Sequence, residues 1–386
     1  MRVLWIDLVS ELGGAQYSFL EACTGLPAHG VDVVAAVPQG PLFDCLSAKG
    51  ITVYPVSPLR ATSRGWGFFI TAAKLLRAPS TIRQIVQVVK PDIIHANSLP
   101  ACIAAQKAVS RIPVFWHVRD LQLPALAIHN AAKKASRIIA ASSAIDEMLT
   151  QATSSRNYGR IRVIRNGIDL SRFENCDRIA ARQRVGVPAE APVIGMIAHL
   201  VPWKRHDAFI AVAIDIHRQR PDAHFVLVGR DLFREHADWN AQLKKTIADA
   251  GLENHFHWVT DCNDAPQVLP AFDVLVHPAR FEPFGRVICE GMAAGVPVIA
   301  AASGGPAAII EDGVSGILVR DGDPHLMAGE ALALLADPAR AAAVTAAGRD
   351  RVRNEFSVAS VCQRLAKEYR AVIAEIESDK NFKKDK

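Results

Sequence analysis

Short runs rich in β-branched residues alternate with amphipathic stretches twice along this chain of 386 residues. Such alternation predicts parallel sheets covered by helices on both faces. In the first half we predict strands at 2–8, 31–37, 51–56, 92–96, 113–117, 137–141 and 161–165. In the second half we predict strands at 193–198, 223–229, 255–259, 273–277, 296–300 and 316–319. The pattern indicates two Rossmann-like α/β domains in tandem.

Helical patterns separate the strands in both halves. We predict helices at 15–29, 68–89, 99–110, 204–219, 235–250, 285–294, 324–337 and about 357–377. The string NGIDLSRF at 166–173 and the polar, Arg-rich segment that follows it, up to Pro192, interrupt the alternation. We therefore place the domain linker there.

The composition excludes several classes of protein. Half of the residues are hydrophobic and 22% are charged, which excludes a mainly disordered chain. No apolar run approaches the roughly 18 residues that span a bilayer, and the start MRVLWIDLV predicts a first strand and not a secretion signal. The seven cysteines are scattered without a CxxC pair, so we expect a reduced, cytoplasmic protein.

Basic residues are concentrated in the first half. The net charge is +5 overall, +9 for residues 1–165 and −4 for the remainder. No acidic residue lies between Asp44 and Asp92, where seven basic residues occur together with a cluster of aromatic side chains. This stretch, 60–90, indicates peripheral contact with an anionic membrane surface or a lipid-linked acceptor. The alternative is a half-buried helix with a solvated basic face; no nucleic-acid-binding module is recognised.

Two groups of residues in the first half follow strands, where parallel sheets bind ligands. Gly13-Gly14-Ala15-Gln16 follows the first strand and opens a helix, whose N–H groups suit an anion or a sugar hydroxyl. Trp116-His117-Val118-Arg119-Asp120 ends the fifth strand, which puts His117 at the mouth of the binding crevice. The structural alternatives are a tight turn, a buried histidine and a local Arg–Asp ion pair.

The second half carries a stronger pattern. Lys204, in His199-Leu200-Val201-Pro202-Trp203-Lys204-Arg205, lies near a helix start, where the dipole disfavours a cation unless an anion such as phosphate binds. In the string from Glu282 to Ile299, Gly285 opens a helix and Glu290 lies two turns beyond Glu282. Carboxylates accept paired hydrogen bonds from sugar hydroxyls, and the first N–H groups of the helix can hold a diphosphate. A surface lysine and a dipole-stabilised glutamate are the alternatives.

The motifs, in their order, resemble the retaining glycosyltransferases of family 4, which have the GT-B fold. They are GGAQ near the start, NGID, PWK, EPFGRVICEGMAAGVPVIA, GGP and DGVSGILV. The resemblance implies two Rossmann-like domains, 1–168 and 169–365, that face a central cleft. It also implies that a C-terminal helix, about 366–380, crosses back to the first domain.

The resemblance further implies a UDP- or GDP-linked sugar bound mainly by the second domain. The expected donor-binding residues are Gly14, His199, Lys204, Glu282, Phe284, Gly285, Arg286 and Glu290. The expected catalytic residues are His117, Lys204 and Glu282. The expected acceptor-binding residues are Gly13, Gln16 and Arg119. His199 stands where the family commonly has an arginine, and Ala308 where it often has a glutamate.

The expected reaction is retaining transfer of a hexose to a glycan or a lipid-linked acceptor, with no metal or cofactor required. We expect same-face attack, in which the leaving phosphate accepts the proton of the acceptor hydroxyl, and an enzyme peripheral to the inner face of the membrane. Asp321 and Asp323 are interpreted as turn and cap residues, and His255 and His257 as structural. The alternatives are a small soluble acceptor, a nucleotide-sugar-binding protein with weak catalysis, and a nucleotide-sugar epimerase.

Overall fold

The computed structural model describes residues 1–58, 66–153, 155–231, 235–262 and 264–384. For residues 66–76, 155–156 and 379–384 it describes the backbone only. The basic stretch that we predict to contact a membrane lies outside the described residues from 60 to 65, and its side chains are described only from Arg77 onward.

The chain folds as two compact units. The first unit comprises Met1–Gly167 and Val358–Lys386, and the second comprises Ile168–Ser357. The C-terminal segment joins the first unit eight residues earlier than the predicted start at 366. It does so because Val361, Cys362 and Leu365 are already buried in the core of the first unit.

The first unit contains a seven-stranded sheet in which every pairing is parallel. Its strands are β1 (Arg2–Ile6), β2 (Asp32–Val37), β3 (Thr52–Pro55), β4 (Ile93–Ala96), β5 (Val114–Val118), β6 (Arg137–Ala140) and β7 (Ile161–Val163). They are arranged in the order β3-β2-β1-β4-β5-β6-β7. The strand order therefore reverses direction between β1 and β4, which is where such sheets form a ligand crevice.

Seven α-helices and two 3-10 turns accompany this sheet in the described part of the first unit. The helices are α1 (Gly14–Gly25), α2 (Pro41–Ala48), α3 (Trp66–Val89), α4 (Leu99–Ala108), α5 (Ala125–Lys134), α6 (Ser143–Ala152) and the C-terminal helix α14 (Val358–Lys384), and the 3-10 turns are Leu26–His29 and Ser155–Arg160. Alternate residues of β1 face opposite cores: Leu4 and Ile6 pack into one, and Val3 and Trp5 into the other. Burial on both faces explains why the strands are continuous apolar runs.

The second unit contains a six-stranded parallel sheet. Its strands are β8 (Val193–Ile197), β9 (His224–Val228), β10 (Phe256–Val259), β11 (Val274–His277), β12 (Val298–Ala301) and β13 (Ile317–Val319). Its helices are α7 (Arg178–Val185), α8 (His206–Gln219), α9 (Ala237–Asp249), α10 (Arg286–Ala294), α11 (Gly305–Ile309), α12 (Pro324–Ala336) and α13 (Pro338–Glu355). The order β10-β9-β8-β11-β12-β13 places the direction change between β8 and β11.

All thirteen predicted strands are present, with ends within two residues of those expected. The predicted linker up to Pro192 is wrong in extent, because Arg178–Val185 forms α7 inside the second unit. This helix escapes prediction because it lacks an apolar stripe: Arg182 is buried and donates to three backbone carbonyls, those of Pro188, Ala189 and Ala191. None of the described helices is long and apolar enough to cross a membrane.

Candidate functional site

The loops that follow β8 and β11 bring the main candidates of the second unit together. After β8 the chain passes His199 and forms a 3-10 turn at Pro202–Lys204. Arg205 then adopts a left-handed conformation (φ 62°) and caps α8. After β11 the chain passes Glu282 and enters α10. Because β8 and β11 are neighbours at the direction change of the sheet, their carboxyl ends bring these loops together.

Glu282 is the centre of this cluster. Its Oε2 accepts a hydrogen bond from Lys204 Nζ, and a second from His277 Nε2 at 3.1 Å. The carboxylate and the lysine side chain are 9% and 13% exposed, so the pair is largely removed from water. Burial raises the pKa of Glu282, but the Lys204 charge and the His277 hydrogen bond outweigh burial and bring that pKa far below its usual range. Glu282 is therefore a fixed carboxylate.

The surroundings of Lys204 hold its charge in place. The ammonium lies 4.2 Å from the centre of the Trp203 ring, a cation–π distance. His199 is near enough that Lys204 and Arg230 lower its pKa, after burial as the largest cause. His199 is accordingly neutral near pH 7. A diphosphate beside it would favour the charged form.

Backbone contacts fix the Glu282 loop. The Gly305 N–H, at the start of α11, donates to the Glu282 carbonyl at 2.8 Å. Gly285 has φ +95°, a conformation that favours glycine, and caps α10. The Ile288 N–H donates to the Gly285 carbonyl at 2.9 Å, which closes the first turn of α10. The sequence GGP after β12 thus supports the loop that carries Glu282.

The remaining donor candidates of the second unit lie on or beside α10. Glu290 is buried and accepts a hydrogen bond from Arg286 Nε at 2.8 Å, one turn earlier. The Phe284 ring is 4% exposed and packs in the core, 6.0 Å from the Phe356 ring. A contact between Phe284 and a ligand would therefore involve its backbone.

In the first unit, β1, β4 and β5 supply the candidates. Gly13 caps α1, and a side chain at Gly14 would meet nothing within 4 Å. The Gln16 amide donates to Asp7 Oδ2 at 3.2 Å, so this predicted acceptor-binding side chain is tied to the end of β1. Asp7 is buried and also accepts from Asn97 at 2.7 Å. Burial raises the pKa of Asp7 despite these hydrogen bonds.

His117 and Arg119 form one polar cluster in the first unit. Arg119 donates to Asn97 Oδ1 at 2.7 Å and to Asn166 of the NGID string. Its third nitrogen lies 3.4 Å from His117 Nδ1. His117, which we predict to face the mouth of the crevice, is only 2% exposed. Its Nδ1 faces His95, a neighbour on β4 that sequence reasoning did not select.

A separate cavity of about 520 Å³ lies at the opposite, amino-terminal edge of the second sheet. It is lined by Arg178, Arg182 and Asp273, among others. Both arginines already bond Asp273, and the candidate residues after β8 and β11 do not line this cavity. The candidate site therefore remains the carboxyl ends of the strands.

Side chains of the types that ligate metal ions are dispersed in the described ranges. Within those ranges, no three His, Cys, Asp or Glu side chains are grouped so as to hold a metal ion. Asp323 caps α12, accepting from the N–H groups of His325 and Leu326, in agreement with its interpretation as a cap residue. The seven cysteines are free thiols.

Comparison with known families decides the classification. The family described as "Glycosyl transferases group 1" matches residues 177–351, and "Glycosyltransferase Family 4" matches residues 12–172. This chain belongs to the family 4, group 1 glycosyltransferases. It is an enzyme family, and the predicted resemblance is confirmed.

Individual relatives agree with this classification. The lipopolysaccharide core biosynthesis mannosyltransferase LpsB of Rhizobium meliloti is 27% identical over 67% of this chain and 79% of its own length. D-inositol 3-phosphate glycosyltransferase 1 of Catenulispora acidiphila is 27% identical over 94% of this chain and 92% of its own length. The crystal structure of Anabaena HepE with UDP and glucose has a TM-score of 0.82 at 27% identity and covers 95% of this chain and 99% of that one. The predicted GT-B fold is confirmed.

Proposed function

We propose that this glycosyltransferase transfers a hexose from a UDP- or GDP-linked sugar, with retention of anomeric configuration, to a glycan or a lipid-linked acceptor. The observation that carries the proposal is the buried Lys204–Glu282–His277 cluster at the direction change of the second sheet. It supplies one fixed anion and one fixed cation side by side. These are the groups that a sugar with hydroxyls and a diphosphate leaving group requires.

Four side chains of the second unit take part in the proposed reaction. Glu282 accepts hydrogen bonds from donor-sugar hydroxyls, because its two oxygens accept about four hydrogen bonds and Oε2 already receives two. Lys204 stabilises the charge that grows on the leaving phosphate, with His199 and the start of α10. Electrostatic stabilisation of that oxygen is the main contribution a protein makes to this step. Glu290 binds the ribose hydroxyls.

Retention is proposed through attack on the face that the diphosphate leaves. The bond from the anomeric carbon to the phosphate oxygen breaks, and the bond to the acceptor hydroxyl oxygen forms. The proton of that hydroxyl passes to the departing phosphate. Lys204 and His199 neutralise the phosphate charge in this scheme, so we propose that no metal is essential.

Two features support the proposed substrates. HepE was solved with UDP and glucose, and separately with UDP-glucose, which supports a nucleotide sugar as donor. The mannosyltransferase of lipopolysaccharide core biosynthesis supports a glycan or lipid-linked acceptor. The inositol phosphate glycosyltransferase favours the second candidate, a small soluble acceptor. Incubation with each acceptor class and product analysis distinguish the two.

Donor binding is tested by thermal shift on the full chain with UDP, GDP and their common sugars, with EDTA and with magnesium. A ligand at 100 times its dissociation constant stabilises by about 2.7 kcal/mol. We expect one base to give this shift equally under both metal conditions. Shifts that require magnesium contradict the metal-independent site, and nucleotide binding without transfer supports the weakly catalytic alternative.

The roles of the cluster are tested with Glu282→Gln and Lys204→Met, each expected to lower transfer at least tenfold, a loss of about 1.4 kcal/mol of transition-state stabilisation. Removing one partner of a buried pair also costs about 3–5 kcal/mol of stability, so the double variant, which leaves no unpaired charge, is measured alongside. The matched control removes the exposed pair Lys245–Asp249 of α9, 2.7 Å apart, and should leave activity unchanged. Near-normal transfer in folded cluster variants would refute the assignment.

A further inference from the structure

Both hydrogen bonds that reach the Glu282 carboxylate from described residues end on the same oxygen. Lys204 Nζ and His277 Nε2 donate to Oε2, the latter at 3.1 Å. No hydrogen bond between described residues ends on Oε1. Because a carboxylate accepts about four hydrogen bonds over its two oxygens, Oε1 is the oxygen that remains for a ligand.

The hydrogen of the bond between His277 and Glu282 lies on His277 Nε2. The low pKa of Glu282 leaves the carboxylate without a proton, so Oε2 can only accept. Burial lowers the pKa of His277 by more than the Glu282 carboxylate raises it, so the imidazole is neutral near pH 7 and carries one hydrogen. Its Nδ1 is buried and has no hydrogen-bond partner among the described residues, so none of them competes with Glu282 in setting the tautomer.

The backbone of His277 is held inside the second sheet. His277 is the last residue of β11 and pairs in register with Ala300 of β12. β8 lies on the other side of β11, and the His277 side chain is 1% exposed. Its ring stands on a short side chain, whereas the Lys204 ammonium ends a flexible four-carbon stem. His277 is therefore the rigid partner of Glu282, and Lys204 is the partner that can reorient.

This difference matters when a donor is bound. In the proposed reaction the Lys204 ammonium stabilises the diphosphate, so its three hydrogens are shared between the phosphate and Glu282 Oε2. Any turn of the ammonium toward the phosphate weakens its bond to Glu282. The His277 bond does not involve the phosphate. Lys204 alone therefore does not fix the carboxylate throughout the reaction.

We propose that His277 is the positioning residue of the donor site: its Nε2–H holds Oε2 of Glu282, so that Oε1 meets the hydroxyls of the donor hexose while Lys204 serves the diphosphate. The inference rests on the proposed function for the identity of the ligand. It divides the cluster into a hexose-binding part, Glu282 held by His277, and a diphosphate-binding part, Lys204. In this role His277 does not touch the substrate.

Binding measurements separate the two parts without requiring transfer. Titration calorimetry on the full chain gives the affinities for UDP and UDP-glucose, and for GDP and GDP-mannose. The ratio of the affinity for the nucleotide sugar to the affinity for the nucleotide isolates the hexose. His277→Gln keeps an N–H donor near the position of Nε2, and His277→Leu has none. His257→Leu is the control, because His257 bonds His224 at 2.9 Å and not Glu282.

We expect His277→Leu to lower this ratio about fivefold, the worth of one hydrogen bond of about 1 kcal/mol, at unchanged affinity for the nucleotide alone. His277→Gln and His257→Leu should keep the wild-type ratio, and Lys204→Met should weaken binding of the nucleotide itself. An unchanged ratio in folded His277→Leu overturns the positioning role, as do equal losses in the leucine and glutamine variants. If His277→Leu does not fold, His277→Asn replaces it, because its amide is one methylene shorter than that of glutamine and does not reach Oε2.

The direction of the hydrogen bond is measured without any ligand. Histidine ¹⁵N NMR of the full chain, with His277→Gln to assign the signals, should show a neutral His277 with its hydrogen on Nε2. A bare Nε2, or an imidazolium at pH 7, overturns the inference whether or not the chain binds a nucleotide. A wild type that binds no nucleotide refutes the proposed function and leaves the NMR result standing.

Discussion

His206 directly follows the Lys204 turn and is fully buried at the start of α8. Burial, with the nearby charge of Lys204, lowers its pKa to about 4. In the unfolded chain the value is about 6.5. Between these values the unfolded state binds a proton that the folded state does not. The stability that a neutral His206 contributes is therefore complete above about pH 6.5 and is lost as the pH falls toward 4.

This difference corresponds to about 3 kcal/mol of unfolding free energy between pH 7 and pH 4. Urea unfolding across this range should show His206→Gln losing less stability on acidification than the wild type. Other histidines titrate in both proteins and cancel in the comparison. A pH dependence that is identical in the two proteins would show that His206 does not titrate as its burial requires.

Gly14 offers a cleaner test of ligand approach than any charged residue. A methyl group there would meet no atom within 4 Å, and Gly14 is the first residue of α1, a position that accepts alanine. Gly14→Ala should therefore unfold at the same or slightly higher urea concentration. If the backbone at Gly14 approaches the ligand, the same variant should bind substrate at least tenfold more weakly, about 1.4 kcal/mol. Unchanged binding would remove Gly14 from the site.

At the scale of single residues, the sequence predicts the side chains that belong to motifs but not the side chains that hydrogen-bond to them. Lys204 and Glu282 follow strands and lie in strings of recognisable spacing, and the fold brings the two side chains into hydrogen-bond contact. His277 was visible as the last residue of a strand, but nothing in its own string marks it as a partner of Glu282. His95 and Tyr369 are 274 positions apart, so only the folded chain brings them together.

At the scale of elements, the contact between α1 and α14 is close enough to be tested by a single substitution. A methyl group on Gly25 would lie 2.5 Å from Val358 Cγ1 and 2.8 Å from Cys362 Sγ. The backbone of Gly25 is helical (φ −86°), so the backbone tolerates alanine and only the contact resists it. Gly25→Ala should destabilise the chain by about 1–3 kcal/mol through overpacking.

Val358→Ala in the same background removes the closer of the two contacts and should recover part of the loss. The unfolding of the first unit is followed by the fluorescence of Trp5 and Trp116, both buried there. Destabilisation that is independent of the residue at 358 would place its cause away from the helix contact.

Some helices and strands have a clear hydrophobic pattern in the sequence, and others do not. Strands were predicted well because buried parallel strands are apolar throughout. Helices α2, α5, α6, α7, α11 and α13 were not predicted. In α13 the run of alanines gives no contrast between faces, although Val344 and Val352 are buried there. These helices are stabilised by packing against the rest of the unit, and the local hydrophobic periodicity of the sequence does not reveal that packing.

At the scale of the whole chain, the two units differ in net charge more than the two halves of the sequence do. The first unit contains 25 Lys/Arg and 14 Asp/Glu, a net charge of +11, and the second contains 19 and 25, a net charge of −6. The C-terminal segment thus adds positive charge to the unit that already carries the acid-free stretch. We propose on this basis that the first unit is the one that attracts an anionic membrane surface or a lipid-linked acceptor.

Vesicle binding by the full chain tests this proposal. Each basic residue near an anionic surface contributes about 1 kcal/mol, so replacing the exposed Lys49, Arg77 and Lys90 with glutamine should weaken binding about 100-fold at low salt. The matched control replaces Arg218, Lys244 and Lys245, which are equally exposed in the second unit. Because both triple variants change the net charge by the same amount, general electrostatics affects them equally. Greater loss in the first triple variant, diminishing as salt screens the charges, locates the contact on the first unit. Equal losses refute a localised surface, and no binding by the wild type favours the soluble acceptor.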